Sequence, residues 1–416
     1  MDDVKQEKSI SGIDKRWIYA VNGVVLLLFL GLIYAWSIFV TPLEAEFGWQ
    51  RSETSMAFSI CMSMFCIGGL VAGFISKTKK VWVNMVLCAI CVFIGFLFAS
   101  QVMTLAGFYI YYSCFVGFGV GLAYNTILGS VVKWFPERVG FISGLLLMGF
   151  GFGGMVLGTA CSAIITRFGW RIAFRGLAIV LSIIILLGTY FIKIPTENEI
   201  EAFLVDKKKK NKTVTAAAAN MTTKEMILHP SFKWIFLWAV LLTAAGLTLI
   251  GNASPLMISM GANLNTAAFL AGLISVSNGL GRIISGIIFD AWGWKKTMFL
   301  VTLGLIVASI IIIFAFRSNS IPLMTLGFIC AGLSYGGIVP INSSVVASFY
   351  GQQNYAMNLS IITLNIIPAS FLGPYLAGIL QTMSDSYLTT FIAMAVMGIV
   401  GLGFSMFIKK PNNKYN

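Results

Sequence analysis

The chain has 416 residues, of which 58% are hydrophobic and 10% charged, with a formal net charge of +13. Water-soluble domains carry about 25% charged residues, so the composition excludes a soluble enzyme or a soluble binding module. It points to a chain whose apolar surface faces lipid.

A membrane-spanning helix needs about 20 apolar residues. Twelve stretches reach that length, at 17–40, 55–76, 81–100, 104–133, 139–166, 171–192, 233–259, 266–290, 297–316, 321–348, 355–382 and 386–408. The first is too long for a signal-peptide core and no small-residue cleavage site follows it, so it is expected to be retained. The fourth and fifth carry glycine strings, Gly117, Gly119 and Gly121, then Gly144, Gly149, Gly151, Gly153, Gly154 and Gly158. In a bilayer such residues let helices approach closely. No strand precedes them, which excludes a nucleotide-binding loop. The one long polar segment, 193–232, is expected to link an N-terminal six-helix half, 1–192, to a C-terminal half, 233–416. His229, before Pro230, reads as a solvated or helix-start residue rather than a proton relay. The seven cysteines all fall within the spans and have no histidine or carboxylate beside them, so packing is expected of them, with no metal and no cofactor.

The net charge is topological. Lysine and arginine crowd the segments on one side of the spans: the N-terminus, the 2–3, 4–5 and 8–9 loops, the central segment and the tail. The other side receives Arg51, Arg167, Arg171 and Arg317. The excess predicts cytoplasmic termini and a cytoplasmic central segment. It has no aromatic-basic platform for nucleic acid. The bilayer is the expected partner, and a monomer in a plasma or inner membrane the expected form.

The two halves resemble each other. Gly121-Leu122-Ala123-Tyr124 in the fourth span matches Gly332-Leu333-Ser334-Tyr335 in the tenth, and Gly73-Phe74-Ile75-Ser76-Lys77 after the second matches Gly286-Ile287-Ile288-Phe289-Asp290 after the eighth. Duplicated halves place a substrate site between them near the midplane, with alternating access by rocking.

Polar residues at membrane depth single out that site. None of the fifteen acidic residues lies in the middle of a span. Arg175 is near an outer boundary and is expected to snorkel. Arg282 lies eight residues before Asp290, about 12 Å from the helix end at 1.5 Å per residue. A guanidinium stays charged at any cellular pH and costs roughly 2.5–3.5 kcal/mol at a helix centre, so an anion-binding role is expected. Asn278 shares its helical face, four residues earlier. Tyr124 and Tyr335 lie at comparable depth in other spans, and Tyr34 lies in the outer half of the first, where it is expected to help close the outer side. Phenol and amide groups around one guanidinium suit a carboxylate. Helix packing and interhelical bonding are the other roles open to these residues. No paired acid and base or metal cluster supports an enzyme, and no segment is large enough for the output domain of a sensor.

The loop Gly286-x-x-x-Asp290-x-x-Gly293-x-Lys295-Lys296 resembles the cytoplasmic loop motif of the major facilitator superfamily. The resemblance implies twelve helices in two six-helix halves and a clasp made by Asp290, Lys295 and Lys296 in one access state. In the first half Lys77 replaces the acid. Further strings are similar to the oxalate/formate antiporter family and, more broadly, to monocarboxylate porters. They are Tyr34-Ala35-Trp36-Ser37-Ile38-Phe39 with Pro42; Lys133-Trp134-Phe135-Pro136-Glu137-Arg138; Glu225-Met226-Ile227-Leu228-His229-Pro230; and Asn278-Gly279-x-Gly281-Arg282. The resemblance implies that Arg282 binds a carboxylate while Tyr34, Tyr124 and Tyr335 line or close the site. The oxalate carrier's second cation, a lysine in helix 11, is replaced here at about Ile362. One cation suits one carboxylate, since an unpaired desolvated charge costs several kcal/mol. A small monocarboxylate such as lactate, pyruvate or formate is therefore expected, with a co-transported proton as a candidate second partner. The alternatives are oxalate:formate-type exchange or an unrelated cargo on the same fold.

Overall fold

In the computed structural model the residues described are 2–76, 81–135, 139–196, 221–351 and 354–411. The expected linker residues 197–220, and Lys77 of the first-half loop, lie outside them.

The helices that cross the apolar layer are α1 (Arg16–Ala35), α2 (Arg51–Ile75), α3 (Val81–Ala99), α4 (Leu105–Trp134), α5 (Ile142–Phe168) and α6 (Trp170–Thr189), followed by α7 (Pro230–Ser259). A 54-residue helical run, Leu264–Arg317, comes next. It holds two crossings, because Gly293 at φ 77° and ψ 172° turns the chain back; a left-handed φ is open to glycine at little cost. The run divides into α8 (264–292) and α9 (294–317), and α10 (Ile321–Tyr350), α11 (Met357–Ser384) and α12 (Leu388–Met406) complete twelve helices. The expected all-α fold of two six-helix halves is therefore present. An even number of crossings puts both ends on one face, the terminal face; the other is the far face.

Helix ends follow local chemistry. Asn263 caps α8 by accepting the Thr266 N–H at 2.8 Å, and the Ser320 hydroxyl accepts the Leu323 N–H to start α10. His229 is the N-cap of α7, its Nδ1 accepting the Ser231 N–H, with Pro230 at the first helical position. These caps satisfy orphan backbone donors. A short helix, Thr223–Leu228, begins with a Thr222–Glu225 capping box inside the segment expected as linker.

Several features depart from uniform spans. The first helix narrows to a 3-10 turn at Gly31–Ala35 and runs on as Ser37–Phe47, well past the expected end at 40. Tyr109–Val116 in α4 and Phe371–Tyr375 in α11 are π-helical. The α7 helix begins at Pro230 rather than 233.

Glycine sets helix spacing in equivalent ways in the two halves. A side chain at Gly121 of α4 would strike the Phe65 carbonyl of α2, and one at Gly332 of α10 would strike the Ile274 carbonyl of α8. Gly31 and Gly153 seat α1 against α5 in the same manner. All seven cysteines are free thiols within the bundle, and among the described residues no histidine, cysteine or acidic cluster could hold a metal.

The halves join along α2 and α11. The Ser52 N–H donates to Thr382 Oγ1 at 3.3 Å, Ser59 Oγ to the Ser370 carbonyl at 2.5 Å, and Ser63 Oγ lies 3.2 Å from Ser370 Oγ. Between α5 and α8, Ser162 Oγ donates to Asn265 Oδ1 at 2.8 Å, and Gly151 and Gly154 pack on Ser275. The Ser52–Thr382 and Ser162–Asn265 bonds lie near the far-face ends of their helices and the Ser370 contacts at mid-depth, so the halves meet from the far face to the middle of the layer.

Candidate functional site

Three close contacts of α8 with α10 position Arg282. A side chain at Gly281 would meet the Leu333 carbonyl, one at Gly332 the Ile274 carbonyl, and one at Gly336 both the Asn278 carbonyl and the Arg282 amide nitrogen. Backbone-to-backbone packing of this kind leaves α8 little freedom to rotate, so the Arg282 side chain has a fixed origin. Arg282 is 5% exposed. Its Nε and Nη1 have no hydrogen-bond partner among the described residues. The ion pairs of the described residues, Glu44–Arg51 and Arg171–Glu46, do not include it.

Phenols surround it. The guanidinium is in hydrogen-bonding reach of the Tyr124 hydroxyl and feels Tyr34 and Tyr335 electrostatically. Tyr34 and Tyr335 are hydrogen-bonding neighbours of each other. Tyr34 and Tyr124 come from one half, Tyr335 and Arg282 from the other, so the four residues span the seam. The structure thus brings together four of the five residues singled out for substrate binding. The fifth, Asn278, is one turn from Arg282, 1% exposed, with its Oδ1 lacking a partner among the described residues.

Aromatic packing holds the tyrosines. The Phe150 ring of α5 lies 5.1 Å from Tyr34 and 5.0 Å from Tyr124, and Phe65 of α2 lies 5.1 Å from Tyr124, all edge-on. Such contacts are worth about 0.5–1.5 kcal/mol beyond area burial. Gly246 of α7 lies directly against the Tyr335 ring. Sequence reasoning passed over Phe65, Phe150 and Gly246. Apolar residues in apolar spans carry no local signal, and only the convergence of four helices reveals them.

Asp290, Lys295 and Lys296 are exposed near the terminal face, and no ion pair joins them to another described residue. Ile362 is fully buried and its carbonyl accepts the Asn365 side-chain amide. Arg175 is exposed, with its Nε 3.4 Å from Ser100 Oγ.

A buried guanidinium with unused donors, among hydroxyls and with no acid beside it, can hold an anion by charge-assisted hydrogen bonds. The family profile described as Major Facilitator Superfamily matches residues 22–366. The chain is similar to the oxalate:formate antiporter of Oxalobacter formigenes, 22% identical over 98% of this chain and 95% of that protein. It is similar to the benzoate transport protein of Acinetobacter baylyi, 23% identical over 93% and 88% of the two chains. It is also similar to monocarboxylate transporter 12 of Mus musculus, 24% identical over 90% and 82%. Among solved structures it superposes on a bacterial homolog of the lysosomal transporter Spinster with a TM-score of 0.74, at 14% identity over 94% of this chain and 96% of that one. On a D-xylose-proton symporter the TM-score is 0.71, at 16% identity over 94% and 98%. With twelve membrane-crossing helices and a family match over most of its length, this chain is a multi-pass membrane transporter and belongs to the major facilitator superfamily.

Proposed function

We propose that the protein carries small monocarboxylates across a plasma or inner membrane by alternating access. The observation that carries this reading is Arg282, a buried cation whose Nε and Nη1 lack partners among the described residues. One carboxylate neutralises it, and the Tyr124, Tyr335 and Tyr34 hydroxyls, with the Asn278 amide, orient what remains. A dianion would bring a second charge into a low-dielectric site that has no second cation, and its desolvation is left uncompensated. The cargoes named for these relatives (oxalate, formate, benzoate and monocarboxylates) are carboxylates.

The lysine asymmetry supports a cytoplasmic terminal face. On that reading the structure is the state closed to the outside, and the two halves, 1–192 and 233–416, rock about the seam to open it. Asp290, Lys295 and Lys296 then form their clasp in the opposite state. No acidic residue stands mid-span, so the spans offer no carboxylate of their own to relay a proton with the substrate.

The test is uptake of labelled lactate, pyruvate, formate and oxalate by proteoliposomes. Removing one partner of a buried charge pair costs 2–5 kcal/mol, so Arg282→Ala should weaken transport at least about thirtyfold. Arg282→Lys should rescue it poorly, because an ammonium lacks the planar donor set. Transport by both variants at the parent's rate would remove the anion site. A second reading, oxalate:formate exchange, is favoured by the 98% coverage of the antiporter relative; exchange of oxalate alone would establish it over the first.

A further inference from the structure

A second arginine at the seam is also incompletely paired. Arg51 opens α2 at the far face, and its side chain is 10% exposed. Its Nη2 meets Glu44 Oε2 at 2.6 Å, and the other Glu44 oxygen accepts the Thr54 hydroxyl at 2.7 Å. Its Nε and Nη1 are buried and have no hydrogen-bond partner among the described residues. The second half closes over this group. The Arg51 guanidinium lies 6.0 Å from the Tyr387 ring centroid. Gly378 of α11 packs on the Arg51 carbonyl and on Ser55, and Ser52 bonds Thr382.

The contrast with Arg171, the other paired arginine of the far face, is informative. Arg171 meets Glu46 through both Nε and Nη2, and Nη1 donates to the carbonyl of Ser100, so its donors are used. Arg51 keeps two nitrogens unsatisfied in a position that opens when the halves part. Unsatisfied buried donors favour whatever state pairs or hydrates them.

We propose that Arg51 is a second anion-binding station, at the far-face mouth, which takes the carboxylate of the incoming substrate before it reaches Arg282. The proposal rests on the monocarboxylate reading. Glu44 makes the station weak by design of charge: it competes for the same guanidinium, so a carboxylate arrives, is held briefly and leaves. The Tyr387 ring offers the guanidinium a flat apolar face, which keeps it at the seam while its donors change partner.

The experiment places a thiol beside the station with Ser52→Cys, at a half-buried far-face position. Its modification by a membrane-impermeant cationic thiol reagent is followed with and without lactate, in an Arg282→Ala background that lacks the central cation. The expected result is at least threefold slowing by lactate, lost on adding Arg51→Gln. Adding Glu44→Gln, which removes the competing carboxylate, should lower the half-protecting lactate concentration. No protection in the Arg282→Ala background, protection that survives Arg51→Gln, or a higher half-protecting concentration with Glu44→Gln would each overturn the station. Failure of the carrier reading shows separately, as parent and Arg282→Ala proteins with the same uptake across the acid panel.

Discussion

The Arg282 guanidinium of α8 reaches the Tyr124 hydroxyl of α4, although the two residues belong to opposite halves of the chain. A site assembled across the seam changes shape whenever the halves move. Ligand binding and rocking are then one process, since a ligand shifts an equilibrium only through its differential contacts with the two states.

Removing the hydroxyls tests the phenol ring. Tyr124→Phe and Tyr335→Phe keep the rings and their packing but delete one hydrogen-bonding group each. At about 0.5–1.5 kcal/mol per bond, each should weaken lactate binding about two- to tenfold in a calorimetric titration. Unchanged affinity in both would leave these tyrosines as packing residues.

Helix spacing can be tested at Gly336. A larger residue there meets the Asn278 carbonyl and the Arg282 amide nitrogen, so Gly336→Val must push α8 from α10. Overpacking costs about 1–3 kcal/mol. The thermal midpoint should fall by several degrees and carboxylate binding should be lost. Gly176→Ala, where an added methyl meets nothing within 4 Å, is the matched control and should behave as the parent.

The seam between α2 and α11 offers a reversible lock at mid-depth. Ser63 and Ser370 hydroxyls lie 3.2 Å apart across the halves. Oxidation of the Ser63→Cys, Ser370→Cys pair should arrest transport, and reduction should restore it. Transport that continues with the cross-link formed would show that the halves need not part there.

A pH effect follows from Glu44. Burial raises its pKa above the ordinary carboxylate value, against the opposing pull of the Arg51 cation and hydrogen bonds from Thr54 and Arg51. The folded protein then holds this proton at pH values where the unfolded chain has released it. Stability from this group is fully present below the unfolded value of 4.5 and is lost as pH rises through the folded value. The thermal midpoint should decline over that window in the parent, and Glu44→Gln should remove this component of the decline.

Much of the architecture was legible because a bilayer demands it. Each crossing must be a continuous apolar run, so twelve runs announce twelve helices. Arg282 stood out for the same reason: a charge without an acid in its own span is conspicuous against hydrocarbon. The duplicated Gly-Leu-x-Tyr strings correctly marked equivalent positions, since Gly121 and Gly332 seat equivalent helix pairs. Other features have no local signature. The run of the first helix on to Phe47 depends on Glu44 and Glu46 finding Arg51 and Arg171 in other helices. The wall made by Phe65 and Phe150 depends on tertiary convergence. Sequence separation hides both.

The solitary charge of Arg282 also has an electrical consequence. A monoanion bound to it leaves the loaded site with no net charge, whereas the unloaded site carries one positive charge through whatever part of the membrane field the rocking halves traverse. A full crossing would be worth about 2.3 kcal/mol per 100 mV. The voltage sensitivity of turnover therefore belongs to the return of the unloaded carrier, and a saturating acid on both sides should make the exchange current-free.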